Sequence, residues 1–193
     1  MNSVDPMFPP RPTALAWEIL RPMIRAGDRV IDATAGNGYD TIFLAECVGP
    51  NGKVLAFDVQ ELALVSARAR VDETGLLDRV DFIHGSHAGM ASHVECGSVA
   101  VIMFNLGYLP GNDHAVTTEA AETLEALEIA FELIRPGGAL SVVSYPGHPA
   151  GALEAELVEA LFKEKAASGW RVAKYGALGT RRPAPFLLLA GKG

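Results

Sequence analysis

The chain has 193 residues, 16 Lys and Arg against 23 Asp and Glu, a formal net charge of -7 and 49% apolar residues. That length suits one globular domain over 1–193 with a substantial core, and the acidic balance argues against broad, nonspecific nucleic-acid binding. No apolar run approaches the roughly 18 residues of a membrane span, and the start of the chain has no basic stretch leading into an apolar one, so a cytoplasmic protein without a signal peptide is expected.

In chain order, residues 1–12 are rich in proline and read as an irregular arm. Thr13 is placed to cap a helix over about 14–25, with Leu15, Ile19 and Met23 at helical spacing and Pro22 as a kink or stop. A strand over 29–33 leads into a small-residue turn, Ala33 to Gly38, and a helix over 40–47. A turn at Pro50-Asn-Gly52 precedes a second strand, 53–58. The next helix, 61–74, is expected to turn Leu62, Val65 and Ala69 inward and to stop at Gly75. A third strand spans 79–84, and a loop with Ser86 and His87 follows. Ser98 to Phe104 is a continuous apolar run, as in a strand buried on both faces. Then come a loop over 105–117, a helix over 118–134 ending at Arg135-Pro-Gly-Gly138, a strand over 139–145 and a helix over 151–168. Runs at 171–177 and 184–190 form a terminal hairpin. Alternating strand and helix patterns predict an α/β fold with a mostly parallel sheet.

Ligands of such sheets bind at the carboxyl ends of the strands. There the predicted loops collect polar residues: Asp32 to Thr41, Asp58 to Gln60, Ser86-His87, Asn105 to Tyr108 and Tyr145 to His148. Gly36-Asn37-Gly38 allows close backbone approach to a ligand at a helix N-terminus. Asp58, 26 positions after Asp32, suits a ribose diol. The dinucleotide fingerprint is incomplete, because Tyr39, Asp40 and Thr41 follow where a third glycine is needed. Asp32 and Asp40 would repel a pyrophosphate and suit a cationic ligand, which points to S-adenosylmethionine.

In that reading Asp58 and Gln60 hold the ribose, Ser86 and His87 lie at the adenine edge, and Asn37 holds the methionine end. Bland alternatives stand beside these: Ser86 caps a loop, His87 is exposed, Asn37 adopts a left-handed turn, and Asp40 and Thr41 cap a helix. Asn105-Leu-Gly-Tyr108 is similar to the Asn-Pro-Pro-Tyr pattern of amine methyltransferases, with Leu106 and Gly107 in place of the prolines. In that pattern the asparagine carbonyl accepts from the target nitrogen and the aromatic ring packs on the substrate. Asp113, His114, Tyr145 and His148 are candidate acceptors of the proton a protonated amine must lose. Arg11, Arg21, Arg25, Lys174, Arg181 and Arg182 would make a basic rim if the two ends of the chain meet, with Arg181 and Arg182 binding the substrate; scattered solubilising charges are the alternative. Cys47 and Cys96 read as free thiols, and no metal-ligand cluster is evident.

Asp32-Ala-Thr-Ala-Gly-Asn-Gly-Tyr-Asp-Thr41, Phe57-Asp-Val-Gln60, Phe104-Asn-Leu-Gly-Tyr-Leu-Pro110, Tyr145-Pro-Gly-His-Pro149 and Pro183-Ala-Pro-Phe-Leu-Leu188 together resemble the MnmM/YtqB family, long labelled rRNA methylases. The resemblance runs from about residue 14 to 190. It implies a Rossmann-like class I methyltransferase with a seven-stranded sheet and an antiparallel terminal strand. It implies N-methylation of 5-aminomethyl-2-thiouridine at the tRNA wobble position, with a tRNA anticodon stem-loop as partner. Asn37, Asp58, Gln60, Ser86 and His87 carry over as cofactor contacts, and Asn105 and Tyr108 as the substrate side. Tyr108 or Tyr145 would stack on a flipped-out base. Tyr39, Asn112 and the long N-terminal arm depart from the family pattern. Methylation of rRNA or of a small amine, and a noncatalytic cofactor- or RNA-binding module, remain the alternatives. A homodimer is compatible with the apolar helices.

Overall fold

The computed structural model describes residues 9–107, 120–147 and 149–193. Seven strands form one sheet: β1 Arg29–Asp32, β2 Lys53–Asp58, β3 Val80–His84, β4 Val99–Leu106, β5 Ile134–Ser144, β6 Arg171–Gly176 and β7 Phe186–Gly191. Their order is β3-β2-β1-β4-β5-β7-β6. The first five strands run parallel, and β7 lies antiparallel between β5 and β6. The order reverses at β1 and β4, which opens a crevice at their carboxyl ends. The helices are α1 Pro12–Leu20, α2 Tyr39–Val48, α3 Glu61–Glu73, α4 Ala120–Leu133 and α5 Pro149–Ala167.

Successive strand residues point to opposite faces, so each strand feeds two cores. Ile31, Phe57, Ile102, Phe104 and Leu140 pack with Leu127 and Phe131 of α4 and with Val158 and Phe162 of α5. Val30, Ala56, Val101 and Met103 pack with Leu20, Phe43, Leu44 and Leu64 from α1, α2 and α3. Burial on both faces explains the unbroken apolar run of β4. Among the described residues, no helix is long and apolar enough to cross a membrane.

Several element boundaries differ from the sequence reading. Thr13 does not cap α1: the helix starts at Pro12, with Arg11 as N-cap and no side-chain cap bond. Proline's fixed φ suits the first turn, where its missing N–H is not needed. The helix ends at Leu20, and Pro22 lies in a short 3-10 turn, Arg21–Met23. Ala16 and Leu20 are buried while Ile19 is 39% exposed. Of the predicted arm, residues 1–8 lie outside the described residues and Pro12 is already helical. Asn105 and Leu106 belong to β4 rather than to a loop, Asn105 standing in register with Val143. β5 begins at Ile134, and the shift in register beside Val99 and Val101 absorbs the Pro-Gly-Gly segment within the strand. A Cβ on Gly138 would lie 2.6 Å from the Ala100 carbonyl oxygen, so that close strand approach needs glycine.

The face of α3 is reversed. Ala63, Leu64, Ala67 and Val71 are buried, whereas Leu62 is 71% and Val65 60% exposed; Ala69 is exposed as well. The cause is contact with the turn after β1: a Cβ on Gly38 would lie 2.9 Å from Ala67 Cα. Backbones that close admit only a small residue at Ala67, and Ala63, Leu64 and Val71 share its buried face while Leu62 and Val65 turn outward.

Candidate active site

The turn after β1 is shaped by its glycines. Gly36 (φ 50°) and Gly38 (φ 82°) take the left-handed conformation, and no non-glycine residue among those described has positive φ. Asn37 therefore does not take the left-handed conformation of its bland alternative. Its side-chain oxygen accepts from the Ser66 hydroxyl (3.3 Å) and its carbonyl from Arg70 Nε (2.8 Å), which ties the turn to α3. Asp58, at the end of β2, is half-buried and braces the turn from below. One carboxylate oxygen accepts from Gly36 N and the other from Gln60 N, both at 2.9 Å. Each oxygen retains a lone pair for a further donor.

Gly38 itself is the N-cap of α2, without a side-chain cap. Asp40 and Thr41 are thus free of the capping role and build a buried polar network instead. Asp32 is fully buried. Its carboxylate accepts from Thr34 N (3.2 Å) and from the Thr41 hydroxyl (2.6 Å). Burial, and then the Asp40 charge, push the Asp32 carboxyl from an ordinary 3.8 up to about 7. Asp40, also buried, accepts from Trp17 Nε1 (2.6 Å) and from Asn105 Nδ2, and burial raises its pKa too. The Trp17 ring stacks on Phe43 with centroids 5.3 Å apart. Asn105 is further fixed by its backbone N–H, which donates to Thr34 Oγ1 (2.7 Å). With Nδ2 held by Asp40, Asn105 Oδ1 is buried and has no hydrogen-bond partner among the described residues.

His87 is 6% exposed, not the surface histidine of the bland alternative. Its Nδ1 donates to the Ala33 carbonyl (3.2 Å), since a carbonyl only accepts. Burial lowers its pKa, so the ring is neutral and Nε2 is left as a buried acceptor without a partner among the described residues. Ser86 is committed elsewhere: its hydroxyl accepts from Ala88 N (3.1 Å), capping the following 3-10 turn, and donates to Glu122 of α4. Its capping alternative is the one observed. Ser144 Oγ, at the end of β5, is also buried without a partner among the described residues. Tyr145 is 37% exposed and its ring covers Gly107. Burial, and then the Asp40 charge, raise its pKa above that of an ordinary phenol.

Tyr108, Asp113, His114 and His148 lie outside the described residues. The chain ends do meet, through a Tyr175 hydroxyl bond to the Pro10 carbonyl (2.9 Å). The six basic residues still do not form one rim. Arg21 lies over the Phe43 ring and reaches Cys47, Lys174 pairs with Glu159, and Arg25 sits near the start of β1, at the opposite edge of the sheet from the crevice. Trp17 and Glu122 were not foreseen in the sequence, because their partners are 23 and 36 positions away. No group of three or more potential metal ligands occurs among the described residues.

A sheet of this order, a glycine turn after β1 and an acid closing β2 define a class I methyltransferase that uses S-adenosylmethionine. The model of the "Putative rRNA methylase" family matches residues 54–191, and the chain belongs to that family. A chloroplastic tRNA (mnm5s2U34)-methyltransferase of Arabidopsis thaliana is 37% identical over 93% of this chain and 69% of its own length. Among solved structures, a "putative rRNA-methylase" from Clostridium thermocellum superposes with a TM-score of 0.91 at 34% identity, covering 96% of this chain and all of the other. A methyltransferase from Streptococcus mutans in complex with SAH superposes with a TM-score of 0.84 at 33% identity, over 93% and 97% of the two chains. The site fits the cofactor on its own chemistry. The acceptor His87 Nε2, without a partner among the described residues, and the spare lone pairs of Asp58 suit a ligand rich in N–H and O–H donors. The buried acid pair suits its positive charge.

Proposed function

We propose that the protein methylates a primary amine, the 5-aminomethyl group of a wobble 2-thiouridine, in a tRNA anticodon stem-loop. The observation that carries this reading is the buried, unpartnered Oδ1 of Asn105, held by the Trp17–Asp40–Asn105 chain of hydrogen bonds. The cofactor supplies an electrophilic methyl group on a sulfonium. Asn105 Oδ1 accepts an N–H of the substrate amine and so fixes the direction of its lone pair. Because the side chain is already immobilised, little orientation is left to be lost on binding. A protonated amine must first lose a proton, and we assign that step to Asp113 or His148, with Tyr108 and Tyr145 packing on the base. Asp58 and Gln60 hold the ribose, the glycine turn 36–38 and Asn37 the methionine end, and His87 the adenine. Ser86 supports the site through α4 rather than by direct contact. The Arabidopsis relative is named for a tRNA wobble uridine, which supports this substrate over rRNA. One catalytic domain working on cytoplasmic tRNA goes with that substrate.

The test is mass spectrometry of nucleosides from tRNA bearing 5-aminomethyl-2-thiouridine, incubated with the protein and S-adenosylmethionine. One added methyl on that nucleoside is the expected result. Methylation confined to rRNA or to a small amine would overturn the substrate while leaving the cofactor reading intact.

A further inference from the structure

The charge of this chain is unevenly distributed. Six Lys and Arg and no acidic residue follow Glu164, while the first 164 residues carry ten basic against 23 acidic residues. The hairpin of β6 and β7 is therefore basic on an otherwise strongly acidic molecule. Within this segment the charges are not equivalent. Lys165 pairs with Glu128 and Lys174 with Glu159, while Lys192 donates to the Ile134 carbonyl. Arg181 and Arg182 are exposed, and neither has an ion-pair partner among the described residues.

Strand register fixes where these two arginines lie. Phe186, at the start of β7, stands opposite Ser144 at the end of β5 and Gly176 at the end of β6. The connection 177–185 thus emerges at the carboxyl edge of the parallel strands, beside Tyr145 and on the side of the crevice. Basic residues on an edge strand commonly guard against strand addition. That explains Arg171 and Lys174 within β6, but Arg181 and Arg182 lie beyond the strand and guard no edge. The same connection carries Leu178, 98% exposed, at its tip.

We propose that the connection between β6 and β7 is a docking lip for the RNA backbone, with Arg181 and Arg182 on phosphates next to the crevice. It rests on the RNA reading of the site. An acidic enzyme can then hold a polyanion at one place and in one orientation, because the rest of its surface repels it. The binding experiment uses a tRNA anticodon stem-loop carrying 5-aminomethyl-2-thiouridine and compares wild type, R181E/R182E and R171E. Arg171 pairs with Gly191 at the far end of the hairpin, about 17 Å from Gly176 at the rise of a strand, and serves as the control. The double variant should lose about tenfold or more in RNA affinity, and the slope of log affinity against log salt should fall by roughly 1.5 to 2. S-adenosylmethionine affinity, which reports correct folding, should be unchanged, and R171E should bind RNA nearly as wild type does. Equal RNA affinity and salt slope in the double variant and wild type would overturn the lip alone. Equal losses in R171E and the double variant would show a general charge effect and overturn it too. No RNA binding by wild type, with cofactor binding intact, would overturn the lip together with the RNA substrate.

Discussion

Replacing Asp32 with asparagine should stabilise the unliganded protein at pH 8, by an amount that vanishes in acid. The carboxyl is fully buried beside Asp40, and its pKa rises from 3.8 to about 7. Between those values the folded protein holds a proton that the unfolded chain gives up. Stability therefore falls as pH rises through the window, the opposite of a salt-bridged carboxylate. The rise from 3.8 to about 7 corresponds to about 4 kcal/mol, shared with Asp40 because the two charges oppose each other. For a domain of this size, each kcal/mol moves Tm by roughly 2–4 °C. Asparagine keeps the size of the side chain and an oxygen for Thr34 N, and removes the charge. Thermal unfolding of wild type and D32N from pH 3 to 8.5 should show the two nearly alike below about pH 3.5, diverging from about pH 4 upward, and the variant melting up to about 10 °C higher above pH 7.5. Wild-type affinity for the cationic cofactor should rise as pH passes through about 7, where Asp32 ionises in the folded protein, and D32N should bind it more weakly at pH 8. A difference in Tm that stays constant across the range would refute the reasoning, since the buried charge would then cost nothing.

Asn105→Ala should lower kcat by about a hundredfold or more with little change in cofactor affinity, measured by steady-state methyl transfer, because it removes the positioned acceptor. Trp17→Phe keeps the ring on Phe43 but removes the N–H to Asp40. It should lower kcat about tenfold and leave KM for the RNA near wild type. Gly38→Ala combines a positive φ with a Cβ placed 2.9 Å from Ala67 Cα, and should cost roughly 1–3 kcal/mol in urea denaturation.

The strand–turn–helix at residues 29–48 and the acid at Asp58 were legible in the sequence because their signals are local: an apolar run, glycines, and an acid at the strand end. The terminal hairpin was legible for the same reason. The face of α3 was not. Leu62 and Val65 look like core residues by hydrophobicity alone, and only the approach of Gly38 to Ala67 shows why alanines occupy the inner face. Asp40 read as a possible helix cap because both of its donors are distant, Trp17 by 23 residues and Asn105 by 65. Ser86 was ambiguous until Glu122 of α4 was placed beside it.

The strand order has a consequence for how the chain assembles as it is made. β6 pairs only with β7, yet β7 is the inner strand and is synthesised after it. While β6 emerges, the outer side of β5 is still an open edge and β6 has nothing to pair with. The two strands must close on each other and then dock as a unit, so that Phe186–Gly191 joins Ala139–Ser144 in register. Until then β5 and its run of apolar side chains are open to pairing with another nascent chain, the kind of intermediate on which chaperones act.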